Sequence, residues 1–338
     1  MNGPILVFGM PRSGTTWIGK LFDSHPDTLY RHEPDSIHRL GLPLFPEVDT
    51  AAQYRRELQQ FVGSLPGLRS PEIVGKQPLF PKSYLSRARL VAFHASVVAA
   101  KAASQVRRHT PCLYRPTGVG YERVRVVWKS IESLGRLGVC LDALPAARAI
   151  HLMRHPCGYV ASVLRGRDAH RFIGETLDTD DSWIVRRLLA TTTGRRYKAR
   201  LSDTGKLTHA QQLAWIWMMM HEKTLADIAS NERVLTVRYE DVCAEPIAIA
   251  RKMFAFTGLA WHPQVESFIR ASTGVTRQTT DTGYYGVFKP SQVVAERWRS
   301  ELPPETIESI MGILHEGPLG CKYISNRGAL EGILGAVT

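Results

Sequence analysis

One short stretch near the start constrains the fold of this chain more than any other. An apolar run, Ile5-Leu6-Val7-Phe8, gives way to Gly9-Met10-Pro11-Arg12-Ser13-Gly14 and then to a helix-forming segment from Thr15 to Ser24. Consecutive apolar residues without alternation are hidden best in a strand covered on both faces, as in parallel sheets. A glycine-bounded turn between such a strand and a helix leaves backbone N–H groups free to cradle an anion. Gly9 and Gly14 keep the G-x-x-x-x-G spacing of a phosphate-binding loop, yet Thr15 stands where a triphosphate-binding loop carries lysine. The only nearby cation is Arg12, ahead of the second glycine. The loop is suited to a shorter 5′ anion.

Strand-then-helix units recur downstream. Thr28 to Tyr30 reads as a short strand, and Val124 to Trp128 as another, with a helical stretch from Ile131. Ala147 to Met153 leads into a helix from about Pro156 to Leu164, and Val234 to Val237 into one from about Pro246 to Phe256. This order predicts an α/β three-layer, P-loop-like fold: a central parallel sheet of about five strands flanked by helices. The remaining sequence reads as helical insertions at about 50–110 and 168–232 and a C-terminal loop and helices at about 273–338. No repeat or linker divides residues 1–338, so one domain is expected.

Lysine and arginine exceed aspartate and glutamate by 12, which calls for an anionic partner. No nucleic-acid-binding motif accompanies that charge, and no nucleic-acid partner is expected. The 5 cysteines include no C-x-x-C pair, and the histidines give no H-E-x-x-H pattern, so neither a disulfide framework nor a metal site is expected. The chain opens without a basic leader, and its longest apolar stretch, Leu90 to Ser104, contains His94 and Lys101 and is too short to span a bilayer. A cytoplasmic protein without a transmembrane segment is the expectation; oligomeric state has no sequence signature here.

A second cation-bearing junction follows the strand at Ala147 to Met153. Arg154-His155-Pro156 is followed eight residues after the arginine by Ser162, close enough on a helix for a guanidinium fork and a hydroxyl to meet on one phosphate. Lys129 ends another strand, at the edge where open parallel sheets bind ligands. Arg186-Arg187 and Arg195-Arg196-Tyr197-Lys198-Ala199-Arg200 form a basic cluster, read either as a solvated face or as a docking surface for an acidic acceptor. Trp215-Ile216-Trp217-Met218-Met219-Met220 reads as a buried helix whose side chains could also line an apolar pocket.

Pro11-Arg12-Ser13-Gly14-Thr15-Thr16-Trp17, with His25-Pro26 and His32-Glu33-Pro34 after it, resembles the 5′-phosphosulfate loop of the sulfotransferases. Arg154 and Ser162 are similar to that family's 3′-phosphate motif, and Val237-Arg238-Tyr239-Glu240-Asp241 to its late strand end. The resemblance is to the bacterial, carbohydrate and tyrosylprotein branches. It implies that 3′-phosphoadenosine-5′-phosphosulfate (PAPS) is the co-substrate, without a metal. A hydroxyl-bearing carbohydrate, lipid or small molecule would be the acceptor. It implies donor-binding roles for Arg12, Ser13, Gly14, Thr15, Thr16, Trp17, Arg154, Ser162, Tyr239 and Lys289, with Tyr284 and Tyr285 as weaker candidates. Arg12 and Lys129 would stabilise charge in the transition state, and Glu33 would be the general base, with His32 as its competitor. A P-loop kinase or other nucleoside triphosphatase is the alternative reading, with Asp241 as a magnesium ligand, but it leaves the missing loop lysine unexplained.

Overall fold

The computed structural model describes residues 3–104, 110–113, 124–168, 181–229, 231–273 and 291–325. Strands β1 (Ile5–Gly9), β2 (Thr28–His32), β3 (Arg125–Ser130), β4 (Arg148–Met153) and β5 (Val234–Arg238) form one sheet in the order β2-β3-β1-β4-β5. Every neighbouring pair is parallel, so all the strands end at the same edge.

The period-two geometry of a strand explains why β1 must be apolar throughout. Leu6 and Phe8 join an apolar cluster with Leu137 and Trp217, while Ile5 and Val7 join another with Ile18, Phe22 and Phe254. Each fully buried side chain of this size contributes about 1.5–3 kcal/mol. With helices on both faces, the carboxyl edge is the part of the sheet left for a ligand.

Helix Thr15–Asp23 follows β1 and packs on β2 through a glycine. A Cβ at Gly19 would lie 2.6 Å from the Tyr30 hydroxyl, so only glycine lets this helix approach so closely. Lys20 on the same helix is fully buried; it pairs with Asp23 and donates to the Lys76 carbonyl at 2.9 Å. Lys82 reaches Asp23 from outside the helix at 2.9 Å. Burial raises the Asp23 carboxyl, but Lys20 and Lys82 outweigh it and hold it below its ordinary value.

The insertions follow the sequence expectation with local differences. Helical composition from Leu85 to Val106 and from His209 to Asn231 leads to helices Arg87–Ser104 and His209–Asp227, and Trp215 to Met219 are buried. The stretch from Ser182 to Arg200 also has helical composition but is not one helix. Helix Ser182–Leu189 stops before Thr191-Thr192-Thr193-Gly194, where the Thr191 hydroxyl bonds back to the Leu188 carbonyl at 2.6 Å. A short 3-10 turn, Gly194–Tyr197, continues the chain. After β3, a 3-10 turn at Leu134–Arg136 precedes helix Leu137–Ala143. The predicted loop from Thr273 to Pro290 lies, beyond its first residue, outside the described residues. Helices Pro304–His315 and Pro318–Ser325 pack on His209–Asp227. Cys112, Cys140, Cys157 and Cys243 are buried free thiols, while Cys321 is free and exposed. Among the described residues no helix is long and apolar enough to cross a membrane.

Beneath the sheet edge, His151 of β4 and His221 of helix His209–Asp227 meet at 3.0 Å (Nε2 to Nδ1). His151 also lies 3.3 Å from the Thr236 hydroxyl, and His221 Nε2 has no hydrogen-bond partner. Burial lowers both: His151 to about 3 and His221 well below its ordinary value, with His151 adding to the effect. The folded state thus refuses protons that the unfolded chain accepts below about pH 6.5. Stability is therefore complete above that pH and declines as pH falls, by about 1.4 kcal/mol per pH unit for each histidine involved. Thermal melts should show a flat midpoint above pH 7 and a falling one between about pH 6.5 and 5, with a shallower fall in His221→Asn. A midpoint independent of pH across that window would refute the assignment.

Candidate active site

The turn after β1 is shaped by its left-handed residues. Gly14 has φ 91° and caps helix Thr15–Asp23, and a Cβ there would lie 2.5 Å from the Tyr239 ring. Arg12 has φ 66°, a conformation that costs a non-glycine residue of order 1–3 kcal/mol. Its carbonyl accepts from Arg154 Nη1 at 2.7 Å, and its own Nε donates to the Ser162 hydroxyl at 3.2 Å. The Arg154 guanidinium lies 4.8 Å over the Tyr239 ring and donates to the Val294 carbonyl at 3.3 Å. Its Nε–H is buried and has no hydrogen-bond partner. Loop, strand end and helix therefore bring Arg12, Gly14, Arg154, Ser162 and Tyr239 into one electropositive cluster. The unpartnered N–H on a buried cation is what an anion-binding site requires.

A second group lies at the ends of β2 and β3. Register places His32 level with Lys129, and the Glu33 backbone N–H donates to the Lys129 carbonyl at 2.8 Å. Glu33 then turns left-handed at φ 46°, ψ 50°, and its carboxylate receives the Lys129 ammonium. Lys129 is 1% exposed. Burial lowers its pKa; Glu33 opposes that shift and Arg12 reinforces it, so Lys129 feels both groups of the site. A solvated lysine at a strand end is thereby excluded.

His32 is held between Tyr30 and Glu33. Its Nδ1 lies 2.8 Å from the Tyr30 hydroxyl, and its Nε2 lies 3.8 Å from Glu33 Oε1. Burial raises the Tyr30 phenol well above its ordinary value, so the hydroxyl keeps its proton beside Nδ1. Burial, with Lys129, Lys76 and Lys20 nearby, keeps the imidazole neutral. One turn on, the buried Asp35 accepts from Trp128 Nε1 at 3.1 Å and from the hydroxyls of Ser130 and Ser133. That hub ties the chain after Glu33 to the end of β3.

Other sequence candidates fall into place unevenly. Ser13 and Thr15 are buried in the loop and first helical turn, and Thr16 is half-buried beside them. Trp17 packs elsewhere: its indole donates to Ser272 at 3.0 Å and sits 5.9 Å from Phe268, in the apolar seam with helix Pro263–Thr273. Its size and alternation with Thr16 on the helix direct it into that seam rather than to the anion cluster. Lys289, Tyr284 and Tyr285 lie outside the described residues. Arg297-Trp298 is described, and Trp298 stacks on His155 at 4.5 Å. Among the described residues no group of His, Cys, Asp and Glu could hold a metal ion. Sequence reasoning passed over Tyr30, Asp35 and Lys76. Tyr30 and His32 share strand parity, a signal that would have paired them. Lys76, whose pKa is lowered by burial and by Lys129, offers no such signal.

The chain is similar to known proteins. A profile of the sulfotransferase family matches residues 4–263. Mouse carbohydrate sulfotransferase 5 is 25% identical over 327 residues, covering 88% of this chain and 75% of that protein. Mouse carbohydrate sulfotransferase 3 is 41% identical over 71 residues, which is 21% of this chain and only 15% of that protein. Among solved structures, a sulfotransferase from Alicyclobacillus acidocaldarius aligns over 97% of this chain and 98% of its own, with 15% identity and a TM-score of 0.45. Because the family profile covers most of its length, this chain belongs to the sulfotransferase family.

Proposed function

We propose that this sulfotransferase moves the sulfuryl group of PAPS to a hydroxyl on a carbohydrate or a related small acceptor, with Glu33 as general base. One observation carries the mechanism: the Glu33 carboxylate sits against the buried Lys129 ammonium. The carbohydrate acceptor is supported by the relatives named for that substrate class.

The reaction is an in-line displacement at sulfur. The acceptor oxygen attacks, the bond from sulfur to the bridging oxygen breaks, and 3′,5′-bisphosphoadenosine leaves with that electron pair. Glu33 accepts the hydroxyl proton as the new O–S bond forms. Lys129 and Arg12 offset the charge that grows on the departing oxygen, in a site where burial strengthens each interaction. His32 stands between the Tyr30 hydroxyl and Glu33, and burial disfavours the imidazolium that taking a proton would create, which supports Glu33 over its neighbour as base. Arg154 and Ser162 hold the 3′-phosphate, the loop N–H groups from Gly14 to Thr16 serve the 5′ anion, and Tyr239 serves the adenine. The unpartnered Arg154 Nε–H fits that assignment.

Glu33→Gln keeps the shape and removes the base, so kcat should fall by about 10²–10⁴ while affinity for 3′,5′-bisphosphoadenosine stays nearly intact. Transfer from 35S-labelled donor and calorimetric titration would measure the pair. Near-normal turnover in Glu33→Gln, beside an inactive His32→Ala that still binds donor, would move the role to His32. Arg154→Ala removes a contact made equally in ground and transition states, and should mainly raise the donor KM. It should also weaken discrimination against adenosine-5′-phosphosulfate, which lacks the 3′-phosphate. Unchanged affinity for 3′,5′-bisphosphoadenosine in that variant would contradict the assignment.

A further inference from the structure

The segment between Asp181 and Asp203 carries Arg186, Arg187, Arg195, Arg196, Lys198 and Arg200 and not one acidic residue. Those 6 cations equal half of the chain's formal surplus of 12, concentrated in about a sixteenth of its length. The fold brings them out rather than hiding them. All are exposed, on helix Ser182–Leu189 and on the turn that follows it. The break at Thr191 to Gly194 folds the two basic runs back on one another, because Gly194 packs against Leu188: a Cβ there would lie 2.0 Å from the Leu188 carbonyl oxygen.

Few carboxylates answer this charge. Arg200 pairs with Glu316 at 3.0 Å, and Glu47 receives the Thr192 N–H. Glu222 lies buried below, on the Tyr197 hydroxyl. Arg186, Arg187, Arg195, Arg196 and Lys198 have no carboxylate within salt-bridge distance among the described residues. Beside them Trp183 is 45% exposed, with the Arg187 guanidinium 5.5 Å over its ring. An indole of that size left in water is unusual in a segment whose other apolar residues, Val185, Leu188 and Leu189, are buried.

The patch is tied to the helix that carries Ser162. Asp181, at the start of its helix, is tied to Arg167 at 2.9 Å and to His209 at 3.1 Å. Arg167 belongs to helix Pro156–Asp168, five residues and about 7.5 Å of axial rise beyond Ser162.

We propose that this surface is an exosite for an acidic carbohydrate chain, which it docks while a hydroxyl of the same chain reaches Glu33. Guanidinium forks match carboxylate and sulfate groups, and the indole offers an apolar plate for a sugar ring. The inference rests on the proposed transfer to a carbohydrate and narrows it to an anionic, extended acceptor. The acceptor's charge then serves capture and orientation, and the chemistry remains at the sheet edge.

The test compares wild type, a quadruple variant (Arg186→Ala, Arg187→Ala, Arg195→Ala, Arg196→Ala) and the same positions changed to lysine. All four are exposed, and circular dichroism with thermal melting would verify folding. The probes are size-fractionated hyaluronan, a neutral dextran of equal length, random single-stranded DNA and phosphatidylserine vesicles. Binding is read by fluorescence anisotropy or co-sedimentation, and transfer by 35S counting with a panel of carboxylated and sulfated oligosaccharides. The proposal expects hyaluronan to bind better than dextran, in a salt-sensitive way. It expects the alanine variant to lose affinity, and to raise the KM of anionic acceptors, by about tenfold or more with kcat largely kept. The lysine variant should recover most of the loss, and affinity for 3′,5′-bisphosphoadenosine should not change. Equal binding by wild type and the alanine variant would overturn it, as would a preference for DNA or vesicles with no carbohydrate binding. Hyaluronan binding without sulfuryl transfer to any acceptor would instead count against the proposed reaction and leave the exosite standing. Transfer with the same KM for neutral and anionic chains would do the reverse.

Discussion

The protein is organised by a single constraint: β1, walled on both faces and paired on both edges, can present nothing but its carboxyl end. Each of its apolar side chains is consumed by packing, and its backbone is spent on β3 and β4. The turn after it is thus the first place where polar groups are free, and it lies at the centre of the sheet rather than at a margin. Neighbouring strands in parallel register deliver their own terminal residues to the same edge. Lys129 arrives from β3, His32 and Glu33 from β2, and Arg154 just beyond β4.

Charge is handled differently on the two sides of this edge. On the β2–β3 side Lys129 is matched by Glu33, and His32 is kept neutral by burial and by surrounding ammonium groups. On the β4 side Arg12 and Arg154 lean on a hydroxyl, carbonyl oxygens and an aromatic ring. Neutral acceptors offset only part of the cost of desolvating a cation, so Arg154, with its unpartnered Nε–H, keeps attraction for an anion. In the proposed reaction one side would serve proton chemistry and the other would hold the negatively charged donor.

Much of this was legible in the sequence because the informative residues sit at junctions. The G-x-x-x-x-G spacing announced β1, its turn and its helix together, and the Arg154-to-Ser162 interval spans the end of β4 and the helix after it, from which both residues contact Arg12. Glu33 was visible through His32-Glu33-Pro34, although its left-handed backbone was not. What escaped depends on tertiary packing. Trp17 looked like part of the anion loop, yet a large apolar surface on a helix follows the nearest seam, here the one with Phe268. Asp35 and Lys76 contribute through contacts between segments far apart in the chain, and such contacts leave no spacing to read, whereas the strand parity that pairs Tyr30 with His32 was there to be read. The helix break after Leu189 was foreshadowed by three threonines and a glycine, whose hydroxyls and missing side chain compete with helical hydrogen bonding.

The central position of β1 has a consequence for how the chain is made. In register, Ile5 faces Val127 on one side and Arg148 on the other, so both partners lie more than about 120 residues downstream. At a synthesis rate of roughly 5–20 residues per second, β1 waits about 6–24 s after emerging before either neighbour exists. During that interval an Ile-Leu-Val-Phe segment with two open edges is a template for pairing with other nascent chains. Assembly is thus gated by translation of β3 and β4. Slowing elongation between residues 9 and 125 would lengthen the exposure without altering a single contact in the finished protein.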